Sequence, residues 1–364
     1  MYKKKIIYYF LMTLSLLVLP GCAKKSIDSE NLVSVTPTVT EQPTLTPTQA
    51  VTQPPERKDE MKSYLTGMWV SKEIGTKRPL AYVFNNYKTV SNQWGIGQAD
   101  IVYECLAEGG ITRLLGIGEN FSGDRLGSTR SARQYFVSIA DEYDAIFVHF
   151  GGSIYGYDKI KELGIDEIDG ITGKGGSVFY RDKTMKAPHN AFSSQKLLQE
   201  GIKKFGFETE YPSDYKSHFT FYEEDSDLTD GTAADGKISV HFSNYNKPYF
   251  EYNATEKLYY RYQFGAPHVD SLTGDQLAFK NIIIQFVKEW NLDKKGYQGM
   301  DLENASGSGY YFTNGKKIDI TWKKNESDRF MRYYDKDGKE LTINPGKTYA
   351  ALFPDNRVDE VTID

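Results

Sequence analysis

The sequence predicts an α/β domain followed by a mostly antiparallel β-domain, and three observations carry that reading. Between about residues 78 and 206, apolar runs with strand character alternate with runs of helical periodicity. D-A-I-F-V-H-F-G-G-S, Asp144 to Ser153, is a continuous apolar run ending in Gly-Gly-Ser, as strands buried on both faces often end. Beyond Gly236 the runs become short and alternating, and Asn314-Gly315 and Asp337-Gly338 fall between pairs of them as hairpin signals.

Within the first domain, expected over residues 61–232, strands are predicted at 78–86, 100–107 and 113–118. Apolar residues at 132, 135, 136, 139 and 140 form one face of a helix over 131–140. That helix would hold Arg130 and Arg133 in its first turn, where each cation costs about 0.3–1 kcal/mol unless an anion is near. A strand over 144–153 and a helix through Lys159–Leu163 follow. A helix over 193–206 has Ser194 as its cap and Gly206 as its stop. The predicted sheet is mixed, mainly parallel, with flanking helices. The second domain, 233–364, carries strands at 237–242, 257–262, 281–287, 309–312, 317–322, 329–334, 340–343 and 348–353, with one short helix at Gly274–Phe279.

The N-terminus reads as an address. Lys3, Lys4 and Lys5 precede an apolar run, Ile6 to Leu19, which is too short for a comfortable membrane span. Leu19-Pro20-Gly21-Cys22 closes it as a lipoprotein signal over 1–21, with Cys22 as the lipidated first residue of the mature chain. Diacylglycerol with an added acyl chain, such as palmitate, anchors stably where one chain would be marginal. Residues 22–60 are rich in Thr and Pro and have no periodicity, the composition of a disordered tether. The predicted location is the extracytoplasmic side of the cell membrane, with a folded body reaching into the envelope.

The sequence has two cysteines. With Cys22 lipidated, Cys105 stands alone in an apolar strand as a small buried hydrophobe, and no internal disulfide forms. The formal charge of −5 becomes about −8 once the three signal lysines are removed. Such an acidic chain is a poor nucleic-acid partner, so any anion site must be local.

Recognised chemical signatures are absent. G-K-G-G-S (173–177) lacks a phosphate-loop ending, and no G-x-S-x-G or zinc spacing occurs. D-S-D-L-T-D-G (225–231) lacks the turn glycine and closing Glu of a calcium loop, and H-V-D (268–270) is too small a set to hold a metal. No cofactor or metal is expected. What remains is a gathering of polar residues at element ends: Glu104, Glu108, Arg113, Arg130, Arg133, His149, Ser153, Arg181, Asp182, His189 and Asn190. In open α/β sheets ligand sites lie at the carboxyl ends of strands.

Two functions fit these residues. In the first, Arg113, Arg130, Arg133, Ser153, Arg181, His189 and Asn190 bind an anionic envelope ligand, a wall-polymer fragment, or a wall-synthesis protein. In the alternative, a glycan or phosphodiester hydrolase or transferase uses Glu108 as general acid. Glu104 or Asp182 would be its partner, and His149 or His189 the base. Without a nucleophile or metal set, a binding protein ranks ahead of an enzyme. A purely structural adaptor would instead pair the arginines with Glu104, Glu108 and Asp141.

The motifs R-P-L-A (78–81), Q-A-D-I-V-Y-E (98–104), E-G-G-I-T-R (108–113), R-S-A-R-Q-Y-F (130–136), V-H-F-G-G-S (148–153), Y-R-D (180–182) and A-P-H-N (187–190) together resemble the YerB-like lipoprotein family. P-H-V-D (267–270), N-I-I-I-Q (281–285) and I-T-W-K-K (320–324) extend the resemblance to about Phe353. One departure is Gly127-Ser128, where Gly-Pro is expected. The resemblance implies a secreted lipoprotein built from two consecutive domains of unknown function. It implies no activity.

Overall fold

The computed structural model describes residues 57–173, 175–325 and 329–364. The signal expected over 1–21, the lipidation expected at Cys22 and all but the last four residues of the expected tether lie outside these. Residues 60–62 already form an antiparallel hairpin with 69–71.

The first segment supplies strands β1 (Leu80–Asn85), β2 (Ile101–Leu106) and β3 (Thr112–Gly118), then helix α1 (Gln134–Glu142). Strand β4 (Ile146–His149), helix α2 (Ile154–Leu163), strand β5 (Glu167–Asp169) and helix α3 (Gln195–Phe205) follow. The later segment supplies β6 (Lys237–Val240), β7 (Tyr249–Asn253), β8 (Leu258–Gln263), β9 (Asn281–Val287) and β10 (Ala305–Thr313). It ends with β11 (Lys316–Lys324), β12 (Thr348–Pro354) and β13 (Val361–Ile363).

One eleven-stranded sheet carries the molecule, and both segments build it. Its main order is β11-β10-β9-β12-β2-β3-β1-β4-β5. Strand β12 lies parallel to β9 on one side and to β2 on the other, so the last long strand joins the two segments. Every residue of β9 and β12 is buried, which is why both read as near-continuous apolar runs. The second sheet, β8-β7-β6-β13 with short additions, is antiparallel throughout.

The chain is mostly β with few helices, and the first-segment sheet is mixed rather than mainly parallel. Strands β1, β4 and β5 run parallel, but β2–β3 and β3–β1 are antiparallel. The short Ala107–Ile111 connection between β2 and β3 dictates this, because a parallel pair needs a crossover of a dozen residues or more. The short helix expected at Gly274–Phe279 is also absent. Ala278–Phe279 pairs with β8, and the carbonyl of Leu277 accepts from the Arg261 N–H at 2.8 Å, so strand bonds take the groups a helix would need.

Helix α1 begins one turn later than its periodicity suggests. Arg133 is the residue before it, in extended backbone at φ −131° and ψ 149°, and Arg130 lies upstream. Neither arginine therefore sits in the first helical turn. Helices α2 and α3 follow the sequence closely: Ser153 and Ser194 cap them, and Gly164 and Gly206 end them at φ 66° and 74°.

Candidate functional site

The E-G-G-I-T-R turn, the extended R-S-A-R segment and the H-N loop meet at the end of strands β1 to β3. Glu108 opens the turn, and Gly109 and Gly110 hold φ of 70° and 72°, conformations that favour glycine. Arg133 grips Glu108 in a fork: Nε donates to Oε1 at 2.6 Å and Nη2 to Oε2 at 2.5 Å. Its Nη1 donates to the Ala132 carbonyl at 2.7 Å, and the Tyr297 ring lies 5.3 Å from the guanidinium. Arg113, at the start of β3, reaches the same carboxylate only at 3.4 Å.

Two guanidiniums thus share one carboxylate, and a third, that of Arg130, lies close to them. Arg113 is 7 % exposed, and its Nη1 is buried without a hydrogen-bond partner. Burial, and then the charge of Arg133, push Arg113 down to about 9. Arg130 donates to the Pro188 carbonyl at 3.1 Å and has no carboxylate partner among the described residues. Burial and the neighbouring Arg133 lower it too. For Glu108, burial favours the neutral acid, but the Arg133 hydrogen bond and the Arg113 and Arg133 charges outweigh that and hold it below its ordinary value.

His189 stands beside this cluster. Its ring stacks on Tyr87 with centroids 4.5 Å apart, and Tyr87 is offset-stacked on Tyr245 at 5.8 Å. The orientation of the Asn85 side chain is set by its own hydrogen bonds. Its Oδ1 accepts from the Tyr87 N–H at 3.1 Å, so its Nδ2 donates to His189 Nδ1 at 3.0 Å. A neutral His189 therefore carries its proton on Nε2. Burial, then Arg130, lowers the basicity of this ring.

The other sequence candidates are placed apart from this group or serve the fold. Glu104 faces the opposite side of the sheet, fully buried. It accepts from Thr112 Oγ1 at 2.6 Å, Tyr349 Oη at 2.7 Å and Arg261 Nη2 at 2.6 Å. His149 is buried, with Nε2 2.7 Å from Glu167 Oε2 and Nδ1 2.9 Å from the Gly151 carbonyl, so both ring nitrogens face acceptors. Ser153 Oγ accepts from the Gly156 N–H as the α2 cap. Asp182 pairs with Arg125 at 2.7 Å and accepts from Thr184 N and Oγ1 in its own turn. Asn190 Nδ2 holds the carbonyls of Asp182 and Met185, and Arg181, lying over Phe150, donates to Asn190 Oδ1 at 2.7 Å. Asp141 pairs with Arg329 at 3.0 Å, and Cys105 is free and fully buried.

Sequence reasoning missed Asn85, Tyr87, Tyr245 and Arg261. H-V-D (268–270) was the one nearby signal. His268 Nε2 lies 2.6 Å from Gln93 Oε1, while Nδ1 contacts Arg261. Asp270 accepts the N–H groups of Gly95 and Gly97. These residues belong to the buried polar layer around Glu104.

Comparison with known proteins places this arrangement in a family. Residues 65–208 match the model of the N-terminal domain, and residues 238–350 that of the C-terminal domain, of a protein of unknown function (DUF3048). The chain is 32% identical over 304 residues to the Bacillus subtilis (strain 168) protein named "Putative lipoprotein YerB", covering 83% of this chain and 88% of that protein. A crystal structure of YerB protein from Bacillus subtilis superposes with a TM-score of 0.73 at 31% identity, covering 84% of this chain and 99% of that one. Among the described residues no helix is long and apolar enough to cross a membrane.

Proposed function

The chain belongs to the DUF3048 protein family, and we propose that it is an envelope lipoprotein, held to the membrane through Cys22, whose folded body binds an anionic ligand at the Arg113–Arg130–Arg133 cluster. The observation that carries this reading is the shortage of negative charge. One carboxylate serves Arg113 and Arg133, and among the described residues a buried Nη1 of Arg113 is left without a partner and Arg130 pairs with no carboxylate. A buried unpartnered charged donor is costly, and a bound phosphate or carboxylate supplies what is missing. His189 adds an N–H donor at the rim. The natural ligand in this location is a wall-polymer fragment or an acidic surface of a wall-synthesis protein.

The hydrolase reading draws less support from the same geometry. A general acid needs a raised pKa, whereas Glu108 is held low and clamped by Arg133. The lone pair of His189 Nδ1 is taken by Asn85 Nδ2, which leaves Nε2–H as a donor rather than a base, and His149 is engaged at both nitrogens.

Titration of inorganic phosphate by calorimetry tests the proposal. Arg130→Ala is expected to abolish binding while the melting temperature stays near that of the parent, because Arg130 bonds only one carbonyl. Glu108→Gln is expected to tighten phosphate binding, since it removes the internal competitor of the ligand. Unchanged binding in Arg130→Ala overturns the reading. Turnover of wall fragments that disappears in Glu108→Gln favours the enzyme.

A further inference from the structure

Resting on the anion reading above, we infer that the ligand carries its negative charge on a ring-bearing molecule, and that its class is a sugar phosphate. The phosphate sits at Arg130 and Arg113, and the sugar lies against the wall made by His189, Tyr87 and Tyr245.

The wall comes from both family segments. His189 and Tyr87 stack with an interplanar angle of 15°, and Tyr87 and Tyr245 with 22°, while the backbone N–H of Lys88 donates to Tyr245 Oη at 2.9 Å. All three rings are half-buried, so part of each remains accessible. Inorganic phosphate gains nothing from such a surface. A sugar gains twice: its C–H face packs on an aromatic ring, and a hydroxyl accepts from His189 Nε2–H, which faces no acceptor among the described residues. The Asn85 side chain holds that tautomer by donating to Nδ1, so the wall offers a donor without further rearrangement.

The opposite rim has room. A Cβ added at Gly109 would meet nothing within 4 Å. Ser243 Oγ donates to the Gly110 carbonyl at 2.5 Å and so ties the turn to the second segment. Asn246, fully buried, accepts from the Thr112 N–H at 3.1 Å but leaves its Nδ2 unpartnered. Two buried donors without partners, Arg113 Nη1 and Asn246 Nδ2, thus flank one turn. Three guanidiniums against Glu108 leave two positive charges, the complement of a phosphate monoester dianion.

The test titrates the full chain with inorganic phosphate, glucose, glucose 1-phosphate and adenosine 5′-monophosphate, with melting curves as the folding control. Glucose 1-phosphate is expected to bind at least about tenfold tighter than inorganic phosphate, a difference of about 1.4 kcal/mol. Tyr245→Leu is expected to erase that advantage while leaving phosphate binding unchanged, and His189→Ala is expected to erase it as well. Equal affinity for phosphate and glucose 1-phosphate overturns the inference and leaves the anion reading standing. A preference for the nucleotide over glucose 1-phosphate overturns the placement of a sugar against the wall and gives that place to the base. If none of the phosphates binds, the anion reading fails and takes this inference with it.

Discussion

The arginines and carboxylates divide by sheet face. Glu104 and Glu108 lie four residues apart, and the sequence offers both as partners for Arg130 and Arg133. Within the sheet Glu104 shares its face with Thr112, opposite Arg113, and there Arg261, remote in sequence, neutralises it; Glu108 has left the strand for the turn, and it meets Arg113 and Arg133. A local pattern can nominate charged residues but cannot assign partners that lie 157 positions apart. The same face-by-face sorting buries Glu119 just beyond β3. It is 8 % exposed, accepts from Ser63 Oγ at 2.9 Å, and is pushed up to about 7 by burial and then by Asp100. In the unfolded chain this acid titrates near 4.5. Between those values the folded state holds the extra proton, so the contribution of Glu119 to stability is intact below about pH 4.5 and falls as pH rises through 7. Glu119→Gln should therefore be more stable than the parent at pH 7.5 relative to pH 4.5, by up to about 3 kcal/mol. Urea unfolding at the two pH values reads this, and parallel curves for parent and variant would refute it.

At the scale of elements, the caps were the most readable features. Ser153, Ser194, Gly164 and Gly206 bound α2 and α3 because a side-chain oxygen at the start and a left-handed residue at the end are local requirements. The start of α1 was less readable. The apolar spacing through Ala132 looks helical, but Ala132 instead pairs in an isolated parallel bridge with Gly152, and its N–H donates to the Gly151 carbonyl. Tertiary bonding thus overrides periodicity and leaves Arg130 and Arg133 on extended chain, where the Glu108 fork can form. The turn that carries Glu108 depends on glycine for its shape. Gly109 has open space around it, so Gly109→Ala meets no clash and pays only for φ of 70°. The expected loss is about 1 kcal/mol. A stability gain in chemical unfolding would mean that the turn relaxes out of the left-handed region.

At the scale of the molecule, strand β6 opens the second sheet just past Thr232–Gly236, the point where the runs of the sequence change character. The sequence did not reveal that the first sheet draws on both sides of that point. Strand β12 enters it between β9 and β2, and such a non-local parallel pairing leaves no signature in spacing or turn chemistry. Beneath it, the buried pair Arg261–Glu104 ties the second sheet to the first, with Tyr349 of β12 on the same carboxylate. Shared strands and a shared buried charge are expected to make the two segments melt as one cooperative unit, even though the family models match them separately. Arg261→Ala strands Glu104 as an uncompensated buried charge, at a cost of about 3–5 kcal/mol. Because that loss falls on contacts common to both segments, calorimetry of the variant should show one transition moved to lower temperature. The appearance of two transitions, with residues 238–350 melting ahead of a still-folded 65–208, would show that the segments fold independently.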